Sequence, residues 1–139
     1  MITVNELIVQ ARTWIGVPFV HQGRSRYGVD CIGFVMTLMR EVGGLPQDFA
    51  YSKNYARRPT FELVEFISQH FERSAATAPG LMVLIRWPND QYASHLAILT
   101  GPTIIHCYER MRGVVEHSYR GSWRRDTHSL WKLPGIRYP

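Results

Sequence analysis

Cysteine is scarce: the 139-residue chain has two, Cys31 and Cys107. Two are too few for the disulfide framework of a small secreted scaffold. With 45% of its residues apolar, the chain can build a core without staples. Both thiols are therefore expected to be free. Long hydrophobic runs are also missing, since the longest strongly apolar stretch, Leu81 to Ile85, falls far short of the roughly 20 residues that cross a bilayer. No membrane insertion is expected. The opening Met1-Ile2-Thr3-Val4-Asn5-Glu6 lacks the basic start and apolar stretch of a signal peptide, so the chain is expected to be soluble and cytoplasmic as synthesised. It has no repeat, no low-complexity tract and no linker long enough to divide it. The expectation is one domain over residues 1–139, neither disordered nor collagen-like. A Walker loop, a Gly-x-Gly-x-x-Gly turn and a Gly-x-Ser-x-Gly elbow are absent as well.

Acidic residues are the minority, 11 against 16 Lys and Arg, for a formal charge of +5. The excess gathers in Arg110, Arg112, Arg120, Arg124, Arg125, Lys132 and Arg137, with Arg24 and Arg26 near the front, and it favours acidic partners. No helix-turn-helix, zinc-finger or RNA-stacking motif accompanies it, so nucleic acid is not an expected partner.

Thr3 and Glu6 have the spacing of a capping box, and Val4, Leu7, Ile8, Ala11, Trp14 and Ile15 fall on one helical stripe. This predicts a first helix over about 4–15, stopped by Gly16 and Pro18. Residues 16–30 hold three glycines and no sustained period, and are expected to form a loop. Ile32, Phe34, Val35, Leu38, Met39 and Val42 predict a second helix ending at Gly43-Gly44. A third is expected from Thr60 to about Phe71, started by Pro59-Thr60. After Pro79-Gly80 the pattern shifts to short strands: Leu81 to Arg86, His95 to Leu99, Thr103 to Tyr108, Gly113 to Ser118 and Ser129 to Leu133. Helices followed by a meander of strands is the α+β pattern, amino-terminal helices packed on a carboxy-terminal antiparallel sheet.

Cys31 falls at the start of the second helix, where unpaired amides and the helix dipole favour a thiolate. As a small core residue it would need no chemistry, but Gly28 and Gly33 on either side let backbone approach closely, and Asp30 precedes it. A nucleophilic cysteine needs a base, usually a histidine distant in sequence. Of six histidines, His21 is in the loop, His70 is on the third helix, and His117 and His128 lie among arginines and are expected on the surface. His95 and His106 are embedded in apolar strands, where a titratable ring needs a reason. If Leu99 to Ile104 forms a hairpin with a two- or four-residue loop, residues whose numbers sum to 203 face each other. His95 and His106 then share a face as diagonal neighbours and Cys107 points to the other one. A three-residue loop without a bulge would reverse the parity. The trio is therefore Cys31 as nucleophile, His95 as base holding it as a thiolate–imidazolium pair, and His106 orienting the base. A zinc site from the same three residues is the rival chemistry. No carboxylate or second cysteine completes a closely spaced ligand pair, so no metal or other cofactor is expected.

The segments Trp14-Ile15-Gly16-Val17-Pro18-Phe19, Gly28-Val29-Asp30-Cys31-Ile32-Gly33-Phe34-Val35, Pro79-Gly80, Ser94-His95-Leu96-Ala97-Ile98 and Ile104-Ile105-His106 together resemble the successive motifs of the NlpC/P60 cell-wall cysteine peptidases, from about residue 8 to the carboxy terminus. The resemblance implies a papain-like fold and hydrolysis of peptidoglycan stem peptides, typically between D-glutamate and a diamino acid. It matches Cys31, His95 and His106 to the family's nucleophile, base and third polar residue. His21-Gln22-Gly23 and the strand Gly113 to Ser118 resemble more narrowly the versions encoded with phage and prophage tail genes, which implies tail proteins as partners and delivery in a tail. Phe19 stands where the family usually has a tyrosine whose hydroxyl lines the site, and His21 or Gln22 is the candidate replacement donor. Phe19, His21, Gln22 and Asp30 are thus the expected substrate-side residues. Ile32 replaces the common serine after the nucleophile, and Leu81 the common aspartate after Pro-Gly. The alternatives are a tail-assembly or cell-wall-binding protein with little turnover on the same fold, and an acyltransferase or amidase.

Overall fold

A computed structural model describes residues 1–45, 55 and 60–139. Chain order is β1 (Ile2–Thr3), α1 (Val4–Arg12), β2 (Arg24–Ser25), β3 (Gly28–Val29), α2 (Cys31–Glu41), α3 (Phe61–His70), β4 (Glu72–Ser74), β5 (Met82–Ile85), β6 (His95–Leu99), β7 (Thr103–Tyr108), β8 (Gly113–Ser118), α4 (Ser122–Arg125), β9 (Thr127–Lys132) and β10 (Ile136–Arg137). Among the described residues, six strands form an antiparallel sheet in the order β4-β9-β5-β6-β7-β8. No described helix is long and apolar enough to cross a membrane.

The capping box starts α1: the Glu6 amide donates to Thr3 Oγ1 at 3.1 Å while the Thr3 amide donates to Glu6 Oε1 at 3.4 Å. The helix ends at Arg12, earlier than its apolar stripe suggests, because Trp14 and Ile15 bond back three residues, to Ala11 and Arg12. That tightened turn leaves Ile15 46% exposed. Residues 16–30, expected as loop, contain the small hairpin β2–β3. Pro59, expected to help start the third helix, lies outside the described residues. β4 has no apolar alternation to announce it: it is a mostly exposed edge that pairs through its backbone with β9. A bulge beside Ile85 lets β9 begin at Thr127, two residues before its apolar run.

One face of the sheet, with Met82, Leu84, Leu96, Ile98, Ile105 and Cys107, packs against α1, α2 and α3 in the main core. The other carries Val83, Ile85, Ala97, Leu99 and Ile104 and is covered by Tyr119, Trp87 and Trp123. The hairpin joining β6 and β7 has the two-residue loop that sets its parity, with Ile98 opposite Ile105 and Leu99 opposite Ile104. His95 and His106 therefore fall on the second face, while Cys107 faces the helices and donates its thiol to the Val29 carbonyl at 3.1 Å. The result is a papain-like α+β fold, with its helical half meeting the ends of the central strands where β6 begins.

Candidate active site

Asp30 places the thiol. Its carboxylate N-caps α2, Oδ1 accepting from the Gly33 amide at 2.8 Å, so Cys31 becomes the first helical residue. Its Oδ2 accepts from the Gln22 amide at 2.8 Å and from the Tyr55 hydroxyl. Gly33 makes this packing possible, since a Cβ there would sit 1.9 Å from the Gly23 carbonyl oxygen. The Cys31 thiol reaches across to the sheet and donates to the carbonyl of Ser94, the residue before β6, at 3.6 Å. His95, the first residue of β6, is 5% exposed and lines the same cleft as Cys31. His95 Nε2 lies 2.5 Å from His106 Nδ1, and His106 is fully buried.

The cleft has a volume of about 660 Å³. Phe19, His21, Asp30 and Tyr55 line it together with Trp87, Tyr108 and Trp123, with Arg110 and Arg125 among its basic residues. The structure thus gathers Cys31, His95, Phe19, His21 and Asp30 at one opening, with His106 directly behind His95. Gln22 takes no place in the cleft lining. Its side-chain amide donates to the Tyr55 carbonyl at 2.8 Å, and its backbone, at φ 62°, serves Asp30. His21 does face the cleft, with Nδ1 3.9 Å from Asp30 Oδ2 and its ring edge-on to Tyr55.

Electrostatics at rest differ from the expected ion pair. Burial pushes the Cys31 thiol up to about 12, and the Asp30 carboxylate pushes the same way against the lowering effect of the Leu96, Ile32 and Cys31 amides. The helix terminus that would favour a thiolate already holds a carboxylate cap. Burial brings His95 down to about 3 and His106 down to about 2, with the neighbouring imidazoles lowering both further. The resting pair is a neutral thiol, donating to Ser94, beside a neutral imidazole.

The sequence expectations give no site role to four residues that matter here. His117, expected on the surface, has Nε2 2.8 Å from His106 Nε2. Trp123, on α4, packs edge-on to His106 and tilted against His117, each at 4.8 Å, while Trp87 lies 5.1 Å from His95 and Tyr108 stacks on His106 at 5.5 Å. These rings explain why His95 and His106 are buried. Among the described residues, no three His, Cys, Asp or Glu side chains converge where a metal ion could sit. His106 already engages one histidine through each ring nitrogen.

The fold is shared with the NlpC/p60 domain of the peptidoglycan hydrolase SagA (TM-score 0.63, 18% identity, 94% of this chain and 98% of that one). An NlpC/P60 family protein from Bacillus cereus ATCC 10987 is similar over 94% of this chain and 40% of its own (TM-score 0.71, 15% identity). So is an NLP/P60 family protein, described as similar to a lipoprotein, from Staphylococcus aureus Mu50, over 97% of this chain and 42% of its own (TM-score 0.66, 16% identity). The chain thus spans about two-fifths of the length of these last two. No curated protein matches it in sequence. The model of the NlpC/P60 family matches residues 16–132, a span running from the turn after α1 through β9 and including Cys31, His95 and His106, and the chain belongs to that family.

Proposed function

We propose that this chain is a cysteine peptidase that hydrolyses peptide bonds in peptidoglycan stem peptides, with D-glutamyl-diamino acid bonds as the expected targets. The observation that carries the reading is the one cleft lined by both the helix-terminal Cys31 and His95, with His106 bonded behind His95. His95 takes the proton of the Cys31 thiol as sulfur attacks the scissile carbonyl, so the ionic pair exists only along the reaction path. Amides of Cys31 and its neighbours face the sulfur, and the Cys31 amide is the proposed oxyanion donor. His95 then protonates the leaving amine, and water releases the acyl group from sulfur. The basic rim residues Arg110 and Arg125 suit a substrate rich in carboxylates.

Incubation with purified stem peptides followed by mass spectrometry tests this, with Cys31→Ala as control. New amine and carboxyl ends that vanish in the control are expected. Phe19, which offers no hydroxyl to the cleft, favours a second reading, a cell-wall-binding or tail-assembly protein with little turnover; binding without fragments would select it. Transfer of the acyl group to an added amine, in place of water, would select the acyltransferase. Service in a phage tail is the finer part of the proposal. It rests on the resemblance of His21-Gln22-Gly23 and of β8 to tail-gene versions, and co-purification with tail particles tests it.

A further inference from the structure

The register of β7 and β8 places His117 opposite Ile104 and Val115 opposite His106, so His106 and His117 are diagonal neighbours on one face. Three rings form a chain: His95 Nε2 to His106 Nδ1 at 2.5 Å, His106 Nε2 to His117 Nε2 at 2.8 Å, and His117 Nδ1 to the Ser118 carbonyl oxygen at 3.1 Å. Taken alone, the His95–His106 contact has no direction, because either ring can be the donor. The carbonyl at the far end removes the ambiguity, since it can only accept, and a neutral imidazole has one donor and one acceptor nitrogen. In the neutral ring Nδ1 of His117 then carries the hydrogen, leaving its Nε2 to accept from His106 Nε2. His106 Nδ1 in turn accepts from His95 Nε2. The remaining nitrogen of His95, Nδ1, is left bare.

We propose that His117 is a positioning residue that sets the tautomer of His95: anchored on the Ser118 carbonyl, it orders the three-histidine chain so that His95 Nδ1 is the free acceptor for the Cys31 proton. In the reverse order His95 would carry a hydrogen on Nδ1 and could take no proton there. When the chain acts, the sulfur–hydrogen bond of Cys31 breaks and a bond to His95 Nδ1 forms. The Nε2 hydrogen of His95 stays on His95, donated to His106 Nδ1, so charge and protons balance without movement along the chain. β8 is held for this task beside His117, where Glu116 accepts from Arg12 Nε and Nη2 at 3.0 and 2.9 Å and from the Thr103 hydroxyl at 2.7 Å.

The inference rests on the reading of His95 as the base toward Cys31, and not on which peptide is cleaved. Long-range proton–nitrogen correlation spectra of the full chain near neutral pH test it directly. They should show hydrogen on Nε2 of His95, Nε2 of His106 and Nδ1 of His117. Hydrogen on Nδ1 of His95 or on Nε2 of His117 overturns the proposal without any variant. Two substitutions then probe direction, with iodoacetamide labelling of Cys31 as the rate. His117→Glu, which can only accept, keeps the His95 tautomer and a labelling rate within about threefold of the parent; His117→Lys, which can only donate, reverses the tautomer and slows labelling about tenfold or more. An unchanged His95 signal and labelling rate in the folded His117→Lys protein refutes it. Failure to cleave stem peptides, with the spectra as described, would instead count against the proposed substrate alone.

Discussion

Acidification should destabilise this protein in a way that two residues dominate. His95 and His106 are buried neutral, down to about 3 and about 2, whereas in the unfolded chain each takes a proton near the ordinary histidine value. The folded pair thus binds fewer protons than the unfolded chain between roughly pH 6.5 and pH 3, and stability falls as pH drops through that window. Between about pH 7.5 and about pH 5 each histidine costs about 2 kcal/mol, at roughly 1.4 kcal/mol per pH unit below 6.5, or about 4 kcal/mol for the pair. Against a typical total of about 5–15 kcal/mol this is a large loss, on the order of 10 °C in Tm for a chain of this size. Glu41 and Glu116 are held below the usual carboxylate range by their hydrogen bonds, to Gln10, Trp14 and Arg26 and to Arg12 and Thr103 respectively. The stability they add is lost only at lower pH. His128, exposed but also lowered, supplies a small background of the same sign. Urea unfolding at the two pH values measures the effect. In the His95→Gln, His106→Gln double variant most of the difference should disappear, whatever its stability at neutral pH. A parent difference under about 1 kcal/mol, or a double variant that keeps the full difference, refutes the claim that the folded protein excludes protons from these rings.

Cys31 should label with iodoacetamide much faster than Cys107, which is 1% exposed and donates to Val29; peptide mapping after partial labelling decides, and equal rates would remove Cys31 as the nucleophile. Asp30→Ala should cost about 2–4 kcal/mol in urea unfolding, from a lost helix cap and the stranded donors of Gln22 and Tyr55. The same change should shift the pH midpoint of Cys31 labelling downward, because the Asp30 charge holds the thiol up. Binding to isolated sacculi should weaken steeply with salt, since exposed arginines act through a field screened over about 8 Å at physiological ionic strength, while cleavage of a small soluble stem peptide should change little. A parallel fall of both would place the arginines in the substrate contacts themselves.

The helix and strand order was legible because the chain is locally consistent: a capping box before an apolar stripe, Asp30 before another, and β6, β7 and β8 bounded by turn residues at the positions the structure shows. Pairing His95 with His106 needed only the parity of one tight hairpin. The same arithmetic, applied to the loop between Tyr108 and Gly113, puts His117 on that face too. The neighbouring arginines masked it by suggesting a solvated edge. Trp123 had no such signal, because its place depends on the short helix α4, which folds over the face only in three dimensions. The ionisation state was illegible for the same reason. A helix terminus argues for a thiolate, and only the enclosure built by distant rings, together with the Asp30 cap, reverses the balance.

The chain's four tryptophans fall into two optical classes. Trp14 and Trp131 are at most 5% exposed and donate their indole hydrogens to Glu41 and Ser129. Trp87 and Trp123 line the cleft and lie edge-on to each other at 5.6 Å. A molecule entering the cleft changes the surroundings of the second pair and leaves the first untouched, so occupancy can be read as a difference in emission. Replacing Trp14 and Trp131 with phenylalanine would leave a protein whose fluorescence reports only on the opening above Cys31, a label-free titration that needs no turnover at all.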